Sequence, residues 1–105
     1  MSEWQVVAEE AALADEEMLA VRLSDRRIIV YRTTRGLFAT DRRCTHQGAD
    51  LLRGYLDGEV IECPVHQGRF NVRTGAALNA PACEPLATYD VRLNAGKVEI
   101  KLKHA

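Results

Sequence analysis

Cys44-Thr45-His46 and Cys63-Pro64-Val65-His66 are two short segments that each offer a thiolate and an imidazole. They read C-x-H and C-x-x-H, with sixteen residues between them. Two sulfurs and two nitrogens can hold a single zinc ion, but zinc modules usually group cysteine with cysteine and histidine with histidine. The alternating order here favours a 2Fe–2S cluster in which Cys44 and Cys63 hold one iron and His46 and His66 hold the other. Such a centre exchanges one electron at a time. Histidine ligation moves its potential from about −400 mV into a window of about −150 to +300 mV. A zinc-binding structural module remains the alternative of another class, to be separated by metal analysis.

The remaining reactive side chains add little. Cys83 has no histidine beside it and reads as a small apolar side chain. His104 lies in the terminal Lys103-His104-Ala105 and reads as a surface residue. A nucleophilic pair made from Cys63 and His66 would leave Cys44 and His46 without a role. A mononuclear iron that activates oxygen needs two histidines and a carboxylate, and only His104 is left over. The chain therefore reads as an electron-transfer protein and not as a free-standing enzyme.

Short strands punctuated by turns must position these ligands. Trp4–Val7 begins a strand, Ala8–Ala14 suggests a helical turn, and the acids Asp15–Glu17 close it. Met18–Leu23 alternates as a half-buried strand does, and Ser24-Asp25 turns it into Arg27–Arg32. Thr33–Gly36 turns again into Leu37–Thr40, which leads to the first ligand segment. Asp57-Gly58 joins Tyr55-Leu56 to Val60–Glu62, and that strand delivers Cys63. Gly68–Val72 follows, turned by Thr74-Gly75. Thr88–Leu93 and Lys97–Leu102 pair across Asn94-Ala95-Gly96. Trp4, Tyr31, Tyr55 and Tyr89 fall in or beside strands, where core or sheet-face positions are expected. This spacing predicts an all-β sandwich or small barrel.

At 105 residues the chain is read as one domain, 1–105, with one core. No apolar stretch approaches a membrane span and the N-terminal segment lacks a signal-peptide core, so a cytoplasmic protein with no membrane partner is expected. An odd count of three cysteines fits a reducing compartment better than a disulfide scaffold. The net charge of −1 is unevenly spread, because residues 1–25 hold seven acids against Arg22 alone. That asymmetry is either a solvated acidic turn or a dipole that orients the protein on a partner. The basic residues form no run interleaved with aromatics, which argues against nucleic acid.

Both ligand segments with their flanks, CTHQGADLLRGYLDGEVIECPVHQGRFNVRTG and APACEPLATYDVRL, resemble a Rieske-type ferredoxin. The likeness is to the electron-carrier component of bacterial multicomponent aromatic-ring-hydroxylating dioxygenases. It implies the Rieske fold: stacked antiparallel sheets with a two-loop cluster-binding subdomain at about residues 43–82. It also implies a monomeric carrier that takes electrons from a flavin-dependent NAD(P)H ferredoxin reductase and delivers them to a terminal oxygenase. A small Rieske subunit of another reductase, such as a nitrite reductase, is the alternative within the family. The aromatic substrate stays open, since its contacts lie in the oxygenase.

The same resemblance bears on potential. High-potential relatives carry an extra cysteine in each ligand loop, where this chain has Ala49 and Val65, and hydroxyl donors where it has Gly68 and Phe70. Fewer donors to sulfur imply a low potential. Gly48 and Gly68 stand where the backbone of relatives turns close to the cluster, and Pro81 stands in the covering third loop. In relatives the histidine side faces solvent, which makes the tip with His46 and His66 the expected electron exit, flanked by Gln47 and Gln67.

Overall fold

The run Ile28-Ile29-Val30-Tyr31 is apolar without interruption, and all four side chains are fully buried. Successive side chains of a strand point to opposite faces, so this strand is covered on both. Ile28 and Val30 enter one cluster, with Leu13, Leu23, Ala39, Tyr89, Val98 and Ile100. Ile29 and Tyr31 enter a second, with Leu51, Ile61, Phe70, Val72, Leu86 and the two cysteines Cys44 and Cys63. The ligand segments are thereby attached to the core through the strand that divides it.

The computed structural model describes residues 3–14, 18–45, 48–65, 67–80 and 84–101. Its elements are β1 (Trp4–Glu9), α1 (Glu10–Ala14), β2 (Met18–Leu23), β3 (Arg26–Thr33), β4 (Gly36–Asp41), β5 (Tyr55–Asp57), β6 (Val60–Glu62), β7 (Arg69–Asn71), β8 (Thr88–Asn94) and β9 (Lys97–Lys101). A six-stranded sheet runs in the order β1-β9-β8-β4-β3-β2, and a three-stranded sheet runs β5-β6-β7. Every strand pair is antiparallel. This is the all-β architecture of stacked antiparallel sheets that the sequence predicts. The second cluster lies where residues of both sheets meet, since Ile61 and Phe70 belong to the small sheet and Ile29 and Tyr31 to the large one.

Local chemistry explains the turns. Ala95 (φ 52°) and Gly96 (φ 78°) are both left-handed, the geometry of a tight hairpin whose twist matches its strands. The sequence predicts a helical turn from Ala8, but β1 continues through Glu9. Ala8 pairs with Val98 and Glu9 with Lys97 across a bulge after Val6. A waiting sheet edge outweighs the modest helix preference of one alanine. Helix α1 starts only at Glu10, whose N–H donates to the Gly96 carbonyl at 2.9 Å. A 3-10 turn at Leu51–Arg53 is a further element that the sequence reading lacks. Asp15–Glu17 and Leu102 lie outside the described residues.

Tyr31 and Tyr89 take core positions, whereas Tyr55 is 69% exposed on the outer side of β5. The Tyr31 hydroxyl is paired with Thr40 Oγ1 at 2.8 Å, which satisfies a buried polar group in the middle of the core. Burial pushes the Tyr31 phenol up to about 12, so it stays neutral at physiological pH.

Gly75 fixes where the chain leaves the small sheet. Its N–H donates to the Asn71 carbonyl at 2.7 Å and its carbonyl accepts from Leu86 N–H at 2.8 Å. It is left-handed (φ 81°), and a Cβ there would stand 2.2 Å from the Leu86 carbonyl oxygen. That contact is with backbone, so no side-chain rotation relieves it. Gly75→Ala should lower unfolding free energy by about 2–3 kcal/mol, read as a lower denaturant midpoint at unchanged slope.

Candidate functional site

Strand β4 runs into the first ligand loop and β6 into the second, so two sheets deliver Cys44 and Cys63 to one place. The loops are built alike. The Cys44 N–H donates to the Ala49 carbonyl at 2.8 Å, and the Cys63 N–H donates to the Gly68 carbonyl at 2.7 Å. Each bond spans the same number of residues, so each cysteine closes the base of its own loop. The residue before the closing carbonyl is left-handed in both: Gly48 at φ 68° and Gln67 at φ 59°. Glycine adopts that conformation freely, while glutamine does so at a cost of about 1 kcal/mol. The left-handed Gln67 is not foreseeable from residue types, because a glycine stands next to it.

Both cysteine side chains are buried, each 2% exposed, and neither is in a disulfide. Both belong to one buried cluster. Burial pushes the Cys63 thiol up and the neighbouring Cys44 adds to this, while the Val65 N–H directed at its sulfur pulls the other way. Two buried sulfur donors in one cluster, without a disulfide between them, are the soft donor set that a thiophilic metal takes. The donor set therefore fits a metal centre. His46, Gln47, His66, Pro81, Cys83 and His104 lie outside the described residues.

Asp50 locks the returning limb of the first loop. Its two carboxylate oxygens accept from Arg42 Nε and a terminal Arg42 nitrogen, each at 2.8 Å. One oxygen also accepts the Leu52 N–H at 3.0 Å, capping the 3-10 turn. The Arg42 guanidinium holds the Asp50 carboxyl down at about 2. A depressed carboxylate stabilises the fold above its ordinary range near 4, and this contribution is lost as pH falls towards 2. The pair is partly exposed, so solvent screening reduces its worth. Asp50→Ala should cost about 1–2 kcal/mol at pH 7. Its unfolding free energy should approach that of the wild type as pH drops below about 4, followed by denaturant titration across that range.

A third segment reaches the loops from the other side. Asn79 Oδ1 accepts the Arg69 N–H at 2.8 Å, and the Glu84 carbonyl accepts the Thr45 hydroxyl at 2.8 Å. These bonds tie Asn79 to the start of β7 and Glu84 to the first ligand loop. Ala49 is half-buried against the core, Val65 is exposed, and Gly68 and Phe70 are buried. Phe70 is fully enclosed in the cluster that holds both cysteines.

The chain and its fold match known proteins along nearly their whole length. The chain is 41% identical over 97 residues to the ferredoxin component of the naphthalene 1,2-dioxygenase system of Pseudomonas putida, covering 90% of this chain and 93% of that one. The solved ferredoxin of carbazole 1,9a-dioxygenase from Nocardioides aromaticivorans IC177 superposes with a TM-score of 0.88 at 32% identity, covering 97% of this chain and all of that one. A chain in the solved complex of reduced oxygenase and oxidized ferredoxin in carbazole 1,9a-dioxygenase superposes with a TM-score of 0.84 at 35% identity, covering 96% of this chain and 94% of that one. Residues 3–90 match the model of the Rieske [2Fe-2S] domain. With paired cysteine loops on stacked antiparallel sheets and this match over most of its length, the chain belongs to the Rieske [2Fe-2S] domain family.

Proposed function

We propose that this protein is the one-electron carrier of an aromatic-ring dioxygenase system. It takes electrons from a flavin-dependent NAD(P)H reductase and hands them to a terminal Rieske non-haem iron oxygenase. The observation that carries the reading is the pair of matching loops presenting Cys44 and Cys63 as buried, unbridged thiols, in a chain whose relatives are ferredoxin components over almost their full length. Cys44 and Cys63 would hold one iron, and His46 and His66 the other, within a subdomain of about residues 43–82. When bound, the [2Fe–2S] cluster accepts and releases a single electron.

The protein's own residues supply the rest. The core around Phe70 and Leu51 keeps water from the cysteine side, so the electron leaves by the histidine tip. Asp50 and the closing carbonyls of Ala49 and Gly68 hold the loops in one geometry. A rigid setting keeps reorganisation small when charge changes. Among the described residues no helix is long and apolar enough to cross a membrane. The carrier of this proposal is cytoplasmic and monomeric, meets its partners by diffusion and binds each through a small interface. The protein itself carries out electron transfer and no substrate chemistry.

Reconstitution tests this reading. The purified protein, a flavin-dependent reductase and the terminal oxygenase of a naphthalene or carbazole dioxygenase system are mixed with NAD(P)H and the aromatic substrate. Product formation should require this protein and rise with its concentration. Full turnover without it, or none with it across both oxygenases, contradicts the proposal.

A further inference from the structure

Beside the first ligand loop the surface opens into a recess of about 540 Å³ bordered by Gly48 on one side and by Arg26, Arg27, Arg42 and Arg43. Two of its three acids are engaged within the protein. Asp50 is held by Arg42, and Asp41 accepts the Tyr89 hydroxyl at 2.5 Å. Arg26 in turn donates to that hydroxyl at 3.2 Å and stacks 5.9 Å from the ring centre. Asp25 stands exposed on the hairpin turn at the outer rim. Arg27 and Arg43 are exposed and make no ion pair among the described residues. A chain with net charge −1 thus concentrates free guanidinium groups at the flank of an electron-transfer loop.

Guanidinium forks recognise carboxylates in pairs and retain their charge at any physiological pH. Resting on the carrier reading above, we infer that this recess is the docking surface for an acidic patch on the terminal oxygenase. The oxygenase is the favoured occupant because a relative of this chain is known in complex with one. Arg43 lies directly before Cys44 and Gly48 lines the recess, so an acidic surface seated there comes up against the first ligand loop. Long-range attraction would steer the encounter, and its partial exposure to salt would let the partner leave.

The test compares wild type, Arg27→Glu/Arg43→Glu, Arg27→Lys/Arg43→Lys and Arg32→Glu. Arg32 is exposed on the same strand, about 17 Å along from Arg27 at ordinary strand rise. Reversal there makes half the net-charge change of the double variant, and so reports the effect of net charge per reversed residue. Reduced protein is mixed in stopped flow with the terminal oxygenases of the naphthalene and carbazole systems, and oxidised protein with the reductase. Iron content and midpoint potential of every variant are measured alongside. The double charge reversal should slow second-order transfer to the oxygenase roughly 10-fold at low salt, and the gap should close at high salt. The double lysine variant should keep most of the rate, and Arg32→Glu should be near wild type. Equal slowing by Arg32→Glu, slowing of the reductase step alone, or no slowing would each overturn the docking surface while leaving the carrier reading intact. Failure of the wild type to transfer to either oxygenase would overturn both.

Discussion

Cys44→Ala and Cys63→Ala proteins will purify colourless, with iron reduced from about two per chain to near zero. His46→Ala and His66→Ala will do the same, while Cys83→Ala will keep its colour and iron. The basis is geometric for the cysteines. Both are buried in one core cluster and free of any disulfide. Removing one leaves the other thiol with no complete donor set, and an iron with only one protein sulfur is readily lost. For the histidines the basis is the spacing of the two ligand segments. Visible absorption together with iron analysis checks all five variants. Circular dichroism shows whether the sheets persist without metal. Retention of full iron in either cysteine variant would contradict the ligand assignment.

A low midpoint potential is the second large expectation. The wild type should titrate near −150 mV, at the bottom of the window for mixed cysteine and histidine ligation. Ala49 and Val65 cannot form the disulfide of high-potential relatives. Phe70, wholly buried in the cluster that holds both cysteines, has no hydroxyl to donate to sulfur. A donor directed at sulfur favours the form carrying the extra electron. Phe70→Tyr should therefore raise the potential if its hydroxyl reaches a cysteine sulfur. A hydroxyl buried there without a partner would instead cost about 1–3 kcal/mol of stability and leave the potential unmoved. Redox titration and denaturant unfolding of the same preparation separate these outcomes. A wild-type value above about +150 mV would contradict the hydrogen-bonding argument.

The strand pattern was largely legible because β-sheet leaves a period of two and turns leave glycine and aspartate. Asp57-Gly58 and Asn94-Ala95-Gly96 mark their hairpins plainly, and β3 announces a doubly covered strand by its unbroken apolar run. The end of β1 was not legible, because Ala8 and Glu9 favour helix locally and only the distant Lys97-Val98 edge holds them extended. The 3-10 turn at Leu51–Arg53 was equally hidden. Its cap, Asp50, takes that role through an arginine eight residues earlier.

At the site, residue type and spacing single out Cys44, His46, Cys63 and His66; the structure gathers Cys44 and Cys63 into one buried cluster, and the two histidines lie outside the described residues. Type and spacing did not reveal that the two loops share one construction, since in the second the left-handed position falls on Gln67 and not on a glycine. The arginine recess was also invisible in sequence. Arg26-Arg27 and Arg42-Arg43 are separate pairs that only the neighbouring β3 and β4 bring together. Their meeting depends on register, which residue order does not display.

Metal and acid-labile sulfide analysis of freshly purified, anaerobic wild-type protein tests the central claim most directly. About two irons and two inorganic sulfides per chain are expected. Stoichiometric zinc with no labile sulfide would contradict it.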